Sequence, residues 1–93
     1  MKKRESTVEK YLVRKVKLYG GMAIKLNPIG MIGLPDRLIL MPGAKIMFAE
    51  VKRPGEKPRA IQIQIHNRLR NLGFRVEVVD NKEQIKEILE EML

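Results

Sequence analysis

The apolar positions of the 93-residue chain recur with two different periods. Val8, Leu12, Val16 and Tyr19 return at helical spacing, and Lys10, Arg14 and Lys17 occupy the opposite face. The pattern predicts a first helix capped by Ser6 or Thr7 and stopped near Tyr19 by Gly20-Gly21. Glu9 lies at the border of the apolar face, from where a side chain can still reach a cleft. Residues 22–26 read as a short strand, Asn27-Pro28-Ile29-Gly30 as a turn, and Gly33-Leu34-Pro35 as a second break. The apolar run 38–41 then predicts a buried strand. Pro42-Gly43 is a turn that joins it, as a hairpin, to a strand over 46–52. Alternation along that strand puts Phe48, Glu50 and Lys52 on one face and Met47, Ala49 and Val51 on the other.

A polar loop over 54–58 leads into a predicted helix over 60–72, closed by Gly73. Ile61, Ile65, Leu69 and Leu72 form its apolar stripe, with Gln62 at the edge. Ile63 points away from the stripe, which is odd for a monomer. A strand over 75–79, a turn at Asp80-Asn81 and a helix over 82–92 complete the chain, with Ile85, Ile88, Leu89 and Met92 apolar on the last helix. The order is α-β-β-β-α-β-α, an α/β chain. No repeat or low-complexity tract interrupts it, and residues 1–93 read as one domain.

Charge sharpens this picture. Lys and Arg number 19 against 11 Asp and Glu, a formal net charge of +8. Residues 1–76 carry 17 basic and 5 acidic side chains, and residues 77–93 carry 2 and 6. The body of the chain therefore suits a polyanionic partner, nucleic acid first among them, and the acidic C-terminal segment does not. Cysteine is absent, which excludes disulfides and thiolate zinc sites. With one histidine, His66, any metal site must draw on carboxylates and carbonyls, which suit Mg²⁺ or Mn²⁺. His66 itself reads as a surface or cleft-rim residue. No run is long and apolar enough to span a membrane and no signal-peptide pattern opens the chain, so the expectation is an intracellular, cytoplasmic protein.

The chemistry concentrates in Pro35-Asp36 and Glu50-Val51-Lys52. Two acids in otherwise apolar strands carry a desolvation cost of several kcal/mol, on the order that forces buried carboxylates to pair or to shift. A divalent cation held by both would offset it, and the hairpin can bring Asp36 beside Glu50, with the Val51 carbonyl as a third oxygen. Lys52 follows on the same strand face as Glu50, where an ammonium can steady an attacking water or the charge developing at phosphorus. Taken singly, each piece has a plain structural reading. Asp36 can terminate a turn, Glu50 and Lys52 can be a solvated strand pair, Glu9 and Gln62 can be helix-surface residues, and Lys25 can be an exposed strand lysine.

The text Gly33-Leu34-Pro35-Asp36-Arg37-Leu38, then Phe48-Ala49-Glu50-Val51-Lys52-Arg53-Pro54-Gly55, then Lys57-Pro58-Arg59-Ala60-Ile61-Gln62 and Leu69 to Val76 resembles the VRR-NUC family (virus-type replication-repair nucleases) of the PD-(D/E)xK nuclease superfamily. The resemblance covers nearly the whole chain. It implies a restriction-endonuclease-like core with a mixed four-stranded sheet flanked by helices. It implies that Asp36 and Glu50 hold Mg²⁺ or Mn²⁺ with the Val51 carbonyl, that Lys52 is catalytic, that Gln62 reaches back to the site, and that Glu9 is a further acid at or beside the metal. Lys10, Arg14, Lys17, Lys25 and Arg53 would meet phosphates. The family often has proline where this chain has Ala60, a difference at the helix start only.

The resemblance further implies a metal-dependent endodeoxyribonuclease, of bacterial or viral type, acting on branched DNA such as Holliday junctions. It also implies a homodimer, with Ile63, the Ile65-bearing helix, Met31 and Met47 as dimer-forming surface. Two alternatives stand beside this reading: a nucleic-acid-binding module without catalysis, and a nuclease subunit active only with a helicase or restriction partner. The complete Asp36, Glu50, Lys52 and Gln62 set weighs against the first alternative.

Overall fold

Four strands form one mixed sheet in the order β1-β2-β3-β4, as seen in a computed structural model that describes residues 2–26 and 31–93, with side chains from residue 7 onward. The elements are α1 (Lys2–Leu18), β1 (Met22–Lys25), β2 (Arg37–Met41), β3 (Lys45–Val51), α2 (Ala60–Asn71), β4 (Arg75–Val79) and α3 (Lys82–Glu91). This is the α-β-β-β-α-β-α order that the periodicity predicts. β1, β2 and β3 pair antiparallel, β4 runs parallel to β3, and α2 is the crossover that parallel neighbours require. The turn predicted at 27–30 lies outside the described residues. No helix of the described residues is long and apolar enough to cross a membrane.

The core occupies one face of the sheet. Val8, Leu12 and Val16 of α1 pack with Ile39 and Met41 of β2, Met47, Ala49 and Val51 of β3, Val79 of β4, and Ile85, Ile88, Leu89 and Met92 of the C-terminal segment. The spacing of the α1 residues is the one read from the sequence, and Lys10, Arg14 and Lys17 are exposed on its other side. α1 begins at Lys2, so Ser6 and Thr7 lie within the helix and do not cap it. No Gly or Pro interrupts residues 2–7, and the favourable spacing downstream lets the helix extend back through them. At its other end Gly20 adopts φ 88°, and the Gly20 and Gly21 amides return to the Lys17 and Val16 carbonyls, a glycine stop. α3 starts where Asn81 accepts a hydrogen bond from the Gln84 amide at 2.8 Å.

Two expectations about apolar surface are corrected. Met47 is 1% exposed and belongs to the core, as β3 alternation requires, so it cannot form dimer surface. α2 turns its polar face inward. Gln62 and His66 are buried, while Ile61 and Leu72 of the predicted stripe are exposed. The helix lies against the sheet face that carries Glu50 and Lys52, and polar groups there attract Gln62 inward more strongly than hydrophobicity attracts Ile61.

Candidate active site

β2 and β3 bring the two acids together. Arg37 pairs with Ala49 across the ladder, so Asp36, one residue earlier, stands at the end of β3. There its Oδ2 accepts a hydrogen bond from the Val51 amide at 2.9 Å. Pro35 is buried just before it, and the preceding segment leans on α2 through Gly33. Asp36 thus holds the backbone of the Glu50-Val51-Lys52 segment directly. Lys52 extends the ladder by donating its amide to the Val79 carbonyl at 2.9 Å.

Glu50 is 2% exposed. Its Oε2 accepts from Gln62 Nε2 at 2.9 Å and pairs with Lys52 Nζ at 3.2 Å. Oε1 is buried and has no partner among the described residues. Burial, then the nearby Asp36 carboxylate, push the Glu50 carboxyl above its ordinary range, against the opposing pull of Lys52 and Gln62. Gln62 is oriented at both ends, because its Oε1 accepts the Arg59 amide at 2.9 Å at the start of α2. Its amide N–H group is thereby aimed at Glu50.

His66 sits one turn further along α2 and is 1% exposed, not at the surface or rim as the sequence suggested. Its Nε2 is buried without a hydrogen-bond partner among the described residues. Burial, then the charges of Arg70 and Lys52, hold its pKa below the ordinary value, with Asp36 acting the other way. The imidazole is therefore neutral near pH 7 and lies within the field of the same lysine and aspartate. The signal that could have placed it is the i, i+4 spacing from Gln62.

Glu9 takes a different position from the one implied for it. Arg37 donates to Glu9 Oε2 from Nε at 3.0 Å and from Nη2 at 2.9 Å, and from Nη1 to the Ala23 carbonyl at 3.3 Å. Among the described residues no three His, Asp or Glu side chains are gathered into a metal-binding group. Glu9, Lys10, Arg14, Lys17, Lys25 and Arg37 line a groove of about 500 Å³ between α1 and the β1–β2 edge. Arg53 is exposed in the loop after β3 and is not part of that groove.

The donor set fits a hard divalent cation. A buried carboxylate oxygen with no hydrogen-bond partner among the described residues, and a second carboxylate close enough to raise the first one's pKa, are oxygen donors of the kind such an ion takes. A mixed β-sheet presenting two acids and a lysine at adjoining strand ends, with a glutamine reaching over from the crossover helix, defines the PD-(D/E)xK class. Within that class the comparisons are specific. A solved structure of a VRR_NUC domain matches with a TM-score of 0.90 and 34% identity, over 97% of this chain and 98% of that one. “Putative nuclease p44” of Acyrthosiphon pisum secondary endosymbiont phage 1 is 46% identical over 80 residues, which is 86% of each chain. No family model matches the sequence. The chain belongs to the VRR-NUC family.

Proposed function

We propose that the protein is a Mg²⁺- or Mn²⁺-dependent endonuclease that hydrolyses phosphodiester bonds in DNA, with four-way and other branched junctions as substrate. The observation that carries this reading is the buried Oε1 of Glu50, without a hydrogen-bond partner among the described residues, beside Asp36. A native protein seldom leaves a buried carboxylate oxygen unsatisfied unless something binds there. Asp36, Glu50 and the Val51 carbonyl would hold the cation, and Glu9, engaged by Arg37 on the other face of the sheet, would not. The cation supplies Lewis acidity toward water and toward the phosphoryl oxygen.

The remaining work falls to the chain's own groups. Lys52 Nζ, 3.2 Å from Glu50 Oε2, offers its other N–H groups to the water or to the equatorial oxygens as charge builds at phosphorus. Gln62 fixes the Glu50 carboxylate so that Oε1 and not Oε2 is left to the cleft. Phosphates of the substrate would meet Lys10, Arg14, Lys17, Lys25 and Arg53, all exposed.

Dimerisation would place two such sites on two strands of one junction. Ile63 is 46% exposed and Met31 45%, while Met31, Leu34, Ile65, Leu69 and Leu72 line an apolar recess of about 110 Å³. This surface supports a second copy packing on α2.

The test is cleavage of labelled junction, flap, nicked and plain duplex DNA in Mg²⁺, in Mn²⁺ and in chelator. Cutting of junctions with either metal, lost in chelator and in Lys52→Ala, is the expected result. Equal cutting by Lys52→Ala, or none by the native protein under any condition, overturns the reading. Sedimentation at twice the 10.8 kDa chain mass is expected, and a monomer alone refutes the dimer.

A further inference from the structure

The basic groove and the paired acids lie on opposite faces of one sheet. Lys25, Arg37 and Ala49 are directly paired across β1, β2 and β3, and directly opposed residues share a face. Ala49 is fully buried in the core beneath α1. Glu50, the next residue, points the other way, toward Gln62 of α2. The groove is therefore not the rim of the acidic cleft. It is a separate surface, met only by passing round the end of β2, where Asp36 and Arg37 are consecutive.

Its charge is largely uncompensated. Among the described residues Lys10, Lys17 and Lys25 form no ion pair, and Arg14 lies over the Tyr11 ring, 5.6 Å from its centroid. The one acid lining the groove, Glu9, is neutralised by Arg37. Lys10, Arg14 and Lys17 recur at i, i+4 and i+7 along α1, with half-buried Val13 between them. At 1.5 Å per helical residue the row spans about 10 Å, the axial length of about three phosphates of one strand.

We infer that this groove is a second nucleic-acid site, a track for the backbone of one strand running along α1 on the far face of the sheet from Glu50, joined to the metal cleft through Arg37. The inference rests on the nuclease reading for the identity of the polyanion, and it adds where the strand leaves the site. A strand cut at Asp36 and Glu50 turns round the β2 end past Arg37 and lies against Lys25, Lys10, Arg14 and Lys17. The track binds in the absence of metal, because none of these cations belongs to the acid pair.

Binding of a fluorescent DNA duplex in chelator, titrated across salt concentrations, tests it without any cleavage step. Lys10→Gln/Lys17→Gln should flatten the log K against log[salt] slope by about 1.8 and weaken binding about tenfold or more per contact at 0.1 M salt. Lys45→Gln/Lys86→Gln removes the same charge away from the groove and should leave slope and affinity near native. Equal losses in the two doubles would show a net-charge effect and overturn the track, as would native binding by the groove double. A thermal shift with Mn²⁺, unchanged in the groove double, shows that the variant is folded with its acid pair intact. Native protein that binds DNA through the groove but never cuts would sink the nuclease reading alone. Cleavage with a groove double that binds normally would sink the track alone.

Discussion

Gln62 Nε2 donates to Glu50 Oε2 at 2.9 Å, and the opposite end of the same amide accepts the Arg59 backbone N–H at 2.9 Å. The crossover helix is thereby keyed to the acid strand through one side chain. The glutamine decides which carboxylate oxygen is free, and the helix start decides where the glutamine points. Gln62→Ala should lower metal affinity and cleavage about 10–100-fold, the usual effect of removing a group that orients a ligand. Calorimetric Mn²⁺ titration beside a cleavage assay checks this. Gln62→Glu should not rescue it, because a second carboxylate repels Glu50 where the amide donates.

Glu50 is held against its own environment. Its folded-state pKa is raised above the ordinary 4.5, so between that value and the raised one the native protein binds more protons than the unfolded chain. Stability contributed by this group is then lost as pH rises through that window, so the carboxylate is a net cost to the fold wherever it is ionised. Glu50→Gln, which keeps the shape and removes the charge, should raise stability of the metal-free protein by about 0.5–2 kcal/mol while abolishing cleavage. In chelator its melting temperature should exceed that of the native protein by several degrees, roughly as expected for a domain of this size. Mn²⁺ should raise the melting temperature of the native protein and leave that of Glu50→Gln in place. A lower melting temperature for Glu50→Gln in chelator would refute the argument.

Lys52 separates chemistry from binding. Its ammonium is paired with Glu50 but is not among the groups expected to ligate a cation. Lys52→Ala should cut cleavage by at least about a hundredfold, within the range of positioned charge and proton-transfer effects. Its DNA affinity in chelator and its Mn²⁺-induced thermal shift should stay close to native. Parallel loss of all three would show that the lysine is structural.

His66 makes a prediction of opposite sign to that of Glu50. Its folded pKa is lowered from the ordinary 6.5 by burial and by Arg70 and Lys52. As pH falls through 6.5 the unfolded chain takes up a proton that the native imidazole refuses, so stability drops below that pH. His66→Gln should remove this part of the acid sensitivity, seen as a shallower fall in melting temperature from pH 7.5 to 5.5. An unaltered slope would place the sensitivity elsewhere.

These residues also show what the sequence could carry and what it could not. Period and punctuation located every strand and helix, and alternation along β3 put Glu50 and Lys52 on one face with Ala49 on the other. That Asp36 would stand beside Glu50-Val51-Lys52 was legible because charge in apolar strands demands a partner and the hairpin brings the two segments together. The inward face of α2 was not legible. A hydrophobic stripe is a dependable guide when the helix packs on an apolar core, and here it packs over polar groups, so His66 is buried and Ile61 exposed against the stripe, while the inward reach of Gln62 came from the family resemblance and not from periodicity. The Glu9–Arg37 pair joins residues 28 positions apart, and no local pattern marks that contact. Met47 and the start of α1 were missed for simpler reasons: the alternation that buries Met47 with Ala49 and Val51 was not applied to the dimer surface, and Ser6-Thr7 look like a cap whether or not the helix continues past them.

Gly33 bears on the geometry of the acids although it touches neither. It adopts φ 96°, in the left-handed region that side chains avoid, and a Cβ built on it would lie 2.9 Å from both the Ile61 carbonyl oxygen and Ile65 Cγ1. The segment leading to Asp36 can press on α2 only because that atom is missing. Gly33→Ala carries both the conformational penalty and the clash, so it should cost more than the roughly 1 kcal/mol of the left-handed conformation alone. To relieve the contact, the segment must retreat from α2 and draw Pro35 and Asp36 with it, loosening the Asp36–Val51 hydrogen bond. The expected outcome is a lower melting temperature together with weakened Mn²⁺ binding, whereas Gly55→Ala, at φ 81° with nothing within 4 Å of its added Cβ, should lose some stability and keep native metal affinity. If both variants bind Mn²⁺ equally well, the close approach of Gly33 to α2 plays no part in holding Asp36.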